Sequence, residues 1–167
     1  VHMAAQNKLA APTVSHAGRA VTLQLIASFG WTLQLGDIKG AFLESDPMTD
    51  RPEMFVELPP GGLPGVASGS LIKLIAPVYG LVDAPARWYA TFAREAKAAG
   101  FIMSTFDKCM WYIREDDGTL GGVLIAHVDD TLTGGNDASS SNYARAIKQL
   151  RERFPYRKWR TGSGEFC

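Results

Sequence analysis

The 167 residues contain only two cysteines, Cys109 and Cys167, which excludes both a disulfide framework and a zinc-ligand spacing. Cys109 lies in an apolar run and reads as a reduced core residue. No hydrophobic run is long enough to span a membrane. The first residues, Val1-His2-Met3-Ala4-Ala5-Gln6-Asn7-Lys8, lack a basic stretch followed by an apolar one, so no secretory signal is visible. Beginning on Val1 and stopping at Cys167, the chain reads as a piece of a longer translation product. There is no excess of either charge: 17 Lys and Arg balance 17 Asp and Glu. That weighs against a nucleic-acid binder acting through an overall basic surface. Basic residues do concentrate near the C-terminus (Arg145, Lys148, Arg151, Arg153, Arg157, Lys158, Arg160), as a solvated helix face with a basic tail or as a nucleic-acid patch. Repeats and low-complexity tracts are absent. A 46% hydrophobic content over this length fits one ordinary domain with room for a core.

The pattern along the chain predicts an α+β fold. Residues 1–12 are polar and Ala-rich and read as loosely held. Ser15 is a natural N-cap, Val21, Leu25 and Phe29 recur every four residues, and Gly30 suits a helix end, predicting a helix over 16–29. Residues 31–37 alternate with period two, placing Trp31, Leu33, Leu35 and Asp37 on one strand face. Short strands follow at 54–58 and 71–75, separated by a Pro/Gly loop. A second helix starts near Pro85 and closes at Gly100, and a hairpin pairs 109–114 with 120–128 around the Asp116-Asp117-Gly118 turn. A third helix over 138–153 and a strand over 156–160 complete an antiparallel sheet with helices on one face.

One tetrapeptide stands out, His127-Val128-Asp129-Asp130, between an apolar strand and the short run Thr131-Leu132-Thr133-Gly134-Gly135. Adjacent aspartates within a strand point to opposite faces, but at a hairpin tip both reach one point. Two anions so close repel, and an oxygen-preferring divalent cation is the usual relief. Asp37, a carboxylate continuing an apolar strand face, is the natural third acid. Three carboxylates around two metal ions are the apparatus of phosphoryl and nucleotidyl transfer. An Asp-Asp pair alone is a weak signal, as the Asp116-Asp117 turn shows.

Four segments carry a resemblance. Gly36-Asp37-Ile38-Lys39-Gly40-Ala41-Phe42-Leu43 resembles the Asp-x-Lys-x-Ala-Phe-Leu motif of copia-type retrotransposon reverse transcriptases. The segment from Pro77 through Tyr79-Gly80-Leu81-Val82-Asp83-Ala84-Pro85 to Arg87-Trp88-Tyr89 is similar to that family's Leu-Tyr-Gly-Leu-Lys-Gln-Ala-Pro-Arg-x-Trp run. Gly100-Phe101, Ser104 and Asp107-Lys108-Cys109 fit its Gly-Phe-x-x-Ser-x-x-Asp-x-Cys stretch, and His127-Val128-Asp129-Asp130 its Tyr-Val-Asp-Asp. The resemblance implies one reverse-transcriptase domain fragment, a palm with part of the fingers, whose thumb, connection and RNase H would follow Cys167. It implies RNA-directed DNA polymerase activity by two-metal nucleotidyl transfer, with Mg2+ (or Mn2+) on Asp37, Asp129, Asp130 and the backbone of Ile38.

By the same resemblance Ile38, Ala41, Phe42, Tyr79, Gly80 and Pro85 line the incoming deoxynucleotide, with Phe42 either a steric gate against a 2′-hydroxyl or a core residue. His127, Val128 and Arg87 fall near primer and template. Arg87 is open to a second reading, a helix-surface ion pair. The partners implied are a primed RNA or DNA template, deoxynucleoside triphosphates and the remaining polyprotein domains, integrase and RNase H, with no membrane. The implied setting is intracellular, in a cytoplasmic virus-like particle or the nucleus. The chain departs from the pattern at His127, where the family has tyrosine, and at Val82 and Asp83, where it has lysine and glutamine. An aspartate near a polyanion calls for a cationic partner, and Arg87 is the candidate. The rival readings are an inactive or co-opted binding module, and a different metal-dependent phosphoryl-transfer enzyme or nuclease.

Overall fold

A computed structural model describes residues 11–166. The expectation of a loose N-terminus falls mostly on residues 1–10, outside the described residues. Pro12 is held, its carbonyl accepting a bond from the Cys109 thiol at 3.1 Å.

Helix α1 (His16–Ser28) begins where the Ser15 hydroxyl accepts a hydrogen bond from Gly18 N at 3.0 Å. Strand β1 (Gln34–Ile38) starts three residues later than the alternation predicts. Trp31 belongs to the helix end instead: its N–H bonds to Ile26 O at 2.9 Å and its ring stacks on Phe29 at 4.5 Å. A 3-10 turn (Ala41–Glu44) follows, and β2 (Met54–Glu57) pairs with β3 (Leu71–Leu74) as a separate antiparallel ribbon. Helix α2 (Ala84–Ala98) carries Pro85 in its first turn, where a missing N–H costs nothing. Strands β4 (Ile102–Met103), β5 (Met110–Arg114), β6 (Leu120–His127) and β7 (Asp130–Gly135) precede α3 (Asn142–Arg153) and β8 (Tyr156–Thr161). Helix α3 starts later than expected because Ser141 caps it, accepting from Ala144 N at 2.9 Å, while Asn136 accepts from Ala138 N and holds residues 136–138 in a turn. Strand β4 is two exposed residues long, too short for any period to announce it. Asp117 is a turn residue, accepting from Thr119 N at 2.9 Å.

Six strands form one antiparallel sheet in the order β4-β5-β6-β7-β1-β8, so β1 lies between two strands remote from it in sequence. Helices α2 and α3 cover one face, where Trp88, Phe92, Trp111, Tyr143, Leu150 and Phe154 are buried. The ring centroids of Trp88, Phe92 and Phe154 lie 5.2–5.7 Å apart. Helix α1 lies over part of the other face, setting Ile26 against Val123, Ile125 and Leu132. The expected antiparallel sheet with helices packed against it is thus present; α2 and α3 share one side as expected, and α1 departs from that expectation by lying on the other.

The Gly100-to-Cys109 motif has a structural explanation. Asp107 accepts from Ser15 N and from Cys109 N, each at 2.8 Å, and so ties α1 to the start of β5.

Trp88 joins the core to the hairpin between β6 and β7: its indole N–H donates to Val128 O at 2.7 Å. Trp88→Phe keeps an aromatic ring in the core but removes the indole N–H and part of the buried ring, leaving that carbonyl unpaired. The expected loss is about 1–3 kcal/mol in urea unfolding. An unchanged midpoint would show that the bond does not hold the hairpin tip.

Candidate active site

Strand β6 ends at His127 and β7 begins at Asp130, and these two residues are paired, leaving Val128-Asp129 as a two-residue turn. Val128 has φ 56°, the sole positive φ at a non-glycine position among the described residues. For a β-branched residue that backbone costs on the order of 1–2 kcal/mol. Burial of the Val128 side chain against the α2 side of the sheet and the bond from Trp88 hold it there. The aspartate tip is therefore fixed by the core beneath it.

Strand β1 brings the third acid alongside. Asp37 is the register partner of Asp130, and Ile38 N donates to Asp129 O at 2.9 Å. Close strand packing here needs Gly36: a Cβ there would fall 2.5 Å from the Tyr156 ring and 2.7 Å from the Thr131 hydroxyl. Three carboxylates thus sit on two adjacent strands and the turn that caps one of them.

On its other side, β1 meets β8 with a bulge. Asp37 pairs with Lys158, but Ile38 pairs with Tyr156, so Arg157 is the extra residue. Its guanidinium turns onto Asp37, with Nη2 2.5 Å and Nε 3.1 Å from Oδ2. The second carboxylate oxygen, Oδ1, is buried without a hydrogen-bond partner. Burial pushes the Asp129 carboxyl above its ordinary value, and the charges of Asp130 and Asp37 add to this, while its own backbone bond and Arg157 oppose it. Asp37 and Asp130 open onto a groove of about 410 Å³ whose walls include Leu35, Lys158, Arg160 and Phe166.

Among the described residues, no group of three or more His, Cys, Asp or Glu side chains is arranged to hold a metal ion. Asp37 is turned toward Arg157 instead. By chemistry the three side chains are still the oxygen donors a hard divalent cation takes: Asp37 keeps one buried oxygen unpartnered, and burial, with the charges of Asp130 and Asp37, raises Asp129.

Ala41 is buried, and the half-buried Phe42 ring lies 4.7 Å from that of the exposed Tyr79. Gly80 has φ 98°, a value that favours glycine, with open space where a Cβ would stand. Arg87, with its two readings, is found in an ion pair: two bonds of 2.9 Å to Asp50 and one of 2.7 Å to Asp83. Asp83 also binds Arg51 at 3.1 Å, so the chain supplies two cations to the aspartate that departs from the motif. The bond from Arg87 holds the Asp83 carboxyl below its ordinary value. Arg157 was visible in the sequence only as one of a basic cluster; nothing in the local pattern announces a bulge.

The family model for reverse transcriptase (RNA-dependent DNA polymerase) matches residues 4–160. The chain belongs to the reverse transcriptase family. This reverse transcriptase chain is similar to the Retrovirus-related Pol polyprotein from transposon TNT 1-94 of Nicotiana tabacum, with 28% identity over 78% of the chain and 10% of that protein. It is also similar to the Retrovirus-related Pol polyprotein from transposon RE1 of Arabidopsis thaliana, with 24% identity over 86% of the chain and 9% of that protein. The chain therefore spans about a tenth of the length of these relatives. No solved structure matches it significantly. These matches agree with the copia-type resemblance carried by the four motifs. No helix among the described residues is long and apolar enough to cross a membrane.

Because folding raises the Asp129 value, the folded chain holds that proton more tightly than the unfolded one. Its contribution to stability is present below the ordinary carboxylate value and is lost as pH rises through the folded value. At neutral pH without metal, Asp129→Asn is expected to raise Tm by about 1–3 °C, allowing for solvent screening. A lower Tm for the variant would show that burial and the neighbouring charges do not penalise the ionised Asp129.

Proposed function

We propose that this chain is the palm, with part of the fingers, of an RNA-dependent DNA polymerase carried in a retrotransposon Pol polyprotein. In this reading it forms one domain that adds deoxynucleotides to a primer 3′ end. The observation that carries the reading is the register of β1 on β7, which sets Asp37 against Asp130 with Asp129 at the turn between β6 and β7. Two Mg2+ ions, or Mn2+ in their place, supply activation of the 3′-hydroxyl and neutralisation of the departing pyrophosphate when bound. Asp37, Asp129, Asp130 and the Ile38 backbone carbonyl are the groups that would hold them.

The remaining residues bind and orient. Phe42, braced by the Tyr79 ring, forms a wall under the sugar that a 2′-hydroxyl would overlap. Ala41, Gly80 and Pro85 border the base and triphosphate. His127 and Val128 lie at the primer end, and the basic wall of Lys158 and Arg160 runs along the groove that a phosphate backbone would follow. Arg87 acts at one remove, since Asp50 and Asp83 occupy its guanidinium. The substrates are a primed RNA or DNA template and deoxynucleoside triphosphates. The partners are the other polyprotein domains, integrase and RNase H, within a virus-like particle in the cytoplasm or in the nucleus. A folded, inactive or co-opted nucleic-acid-binding module is the second reading, and the engagement of Asp37 by Arg157 is the observation in its favour.

Primer extension on an RNA template by the full-length parent protein separates the two. Asp129→Asn and Asp37→Asn are expected to lower incorporation by about a thousandfold or more, since each removes a charge that acts on the transition state. Equal incorporation by parent and variants would sink the catalytic reading. Phe42→Ala should raise ribonucleotide relative to deoxynucleotide incorporation by about tenfold, roughly 1.4 kcal/mol of discrimination; an unchanged ratio would return Phe42 to a core role.

A further inference from the structure

Arg157 has three unusual features together. It is the extra residue of a β-bulge, so its position is set by a departure from regular pairing rather than by the strand pattern. Its side chain remains 61% exposed, while the Asp37 side chain it grips is only 19% exposed. The contact uses two guanidinium nitrogens on one oxygen, leaving the buried Oδ1 of the same carboxylate with no partner. A residue placed only for stability would be expected to satisfy both oxygens, as Arg87 does with Asp50.

We infer that Arg157 is an internal counter-ion for the carboxylate cluster, so that a divalent cation binds only as the guanidinium leaves Asp37. The inference rests on the reading of Asp37, Asp129 and Asp130 as cation ligands and adds a competitor to it. A guanidinium on Oδ2 neutralises the carboxylate charge that draws a hard cation to either oxygen, and it blocks a bidentate approach through both. The exposed stem lets Arg157 withdraw into solvent without disturbing the core, and the bulge needs no change in the flanking pairs. Lys158 provides the contrast. It is the register partner of Asp37, carries the same charge on the same strand, and makes no hydrogen bond or ion pair to it. Loss of Lys158 changes only the field around the acids, whereas loss of Arg157 also frees Oδ2, so that both oxygens of Asp37 become open to a cation.

The test is Mn2+ binding to the 167-residue chain, followed by the electron paramagnetic resonance signal of free Mn2+, with no nucleotide or nucleic acid present. Arg157→Gln is expected to bind Mn2+ about fivefold more tightly or better, with Lys158→Gln gaining clearly less and Arg157→Lys, which keeps the charge but not the fork, lying between wild type and Arg157→Gln. Equal gains for Arg157→Gln and Lys158→Gln would overturn the inference, because the general field would then account for the whole effect. Equal affinity in Arg157→Gln and wild type would overturn it while leaving the cation reading in place. No binding by any of the four proteins would overturn both. Arg157 is exposed, so the variants should retain the wild-type circular dichroism; a variant that loses it would contradict the claim that the guanidinium withdraws without disturbing the fold.

Discussion

The arrangement depends on the register between β1 and β7. A strand shifted by one residue presents every side chain to the opposite face, and there is no intermediate. In the observed register Asp37 faces Asp130 while Gly36 faces the Thr131 and Tyr156 side chains. Slipped by one, Asp37 would turn toward the aromatic side of the sheet, where no cation or solvent awaits it. Gly36 guards this register sterically: any Cβ on that face collides with a ring, so a larger neighbour cannot exchange places with it. The site is therefore protected by packing on the face opposite to the one it uses.

The turn between β6 and β7 shows the same logic in energetic terms. Val128 holds a backbone conformation that a β-branched residue avoids, at the one place where the chain must turn in two residues with a carboxylate on top. The cost is offset from below, by Trp88 and the aromatic cluster around Phe92 and Phe154. The helix that supplies Trp88 begins at the motif running from Tyr79 to Tyr89, so that motif has a structural reason beside any contact with nucleotide. Asp83 and Arg87, which depart from or were ambiguous within the family pattern, close on each other and on Asp50 and Arg51. A local charge network thus absorbs the substitution.

Much of the fold was legible before any coordinates. Ser15 and Gly30 bracket α1, Pro85 opens α2, and the Asp117-Gly118 turn joins β5 to β6 near where the pattern put them, because caps and turns are local chemistry. The misses have one cause. Trp31 alternates like a strand residue but is captured by the end of α1; residues 138–141 look helical but are held by Asn136 and Ser141; β4 is too short to show a period. In each, a contact with a neighbouring segment outweighed a weak local preference.

What the sequence alone determined is the family, since its motifs are short, local and ordered along the chain and the family model matches over residues 4–160; the same motifs single out Asp37, Asp129 and Asp130 as candidate acids. What only the tertiary structure decided is the electrostatic state of those acids. Arg157 reaches Asp37 through a bulge between strands separated by most of the chain, and the burial that raises Asp129 comes from surfaces assembled by the whole sheet. Charges act through space at distances set by packing. No one-dimensional pattern records which cation will lie 2.5 Å from which oxygen.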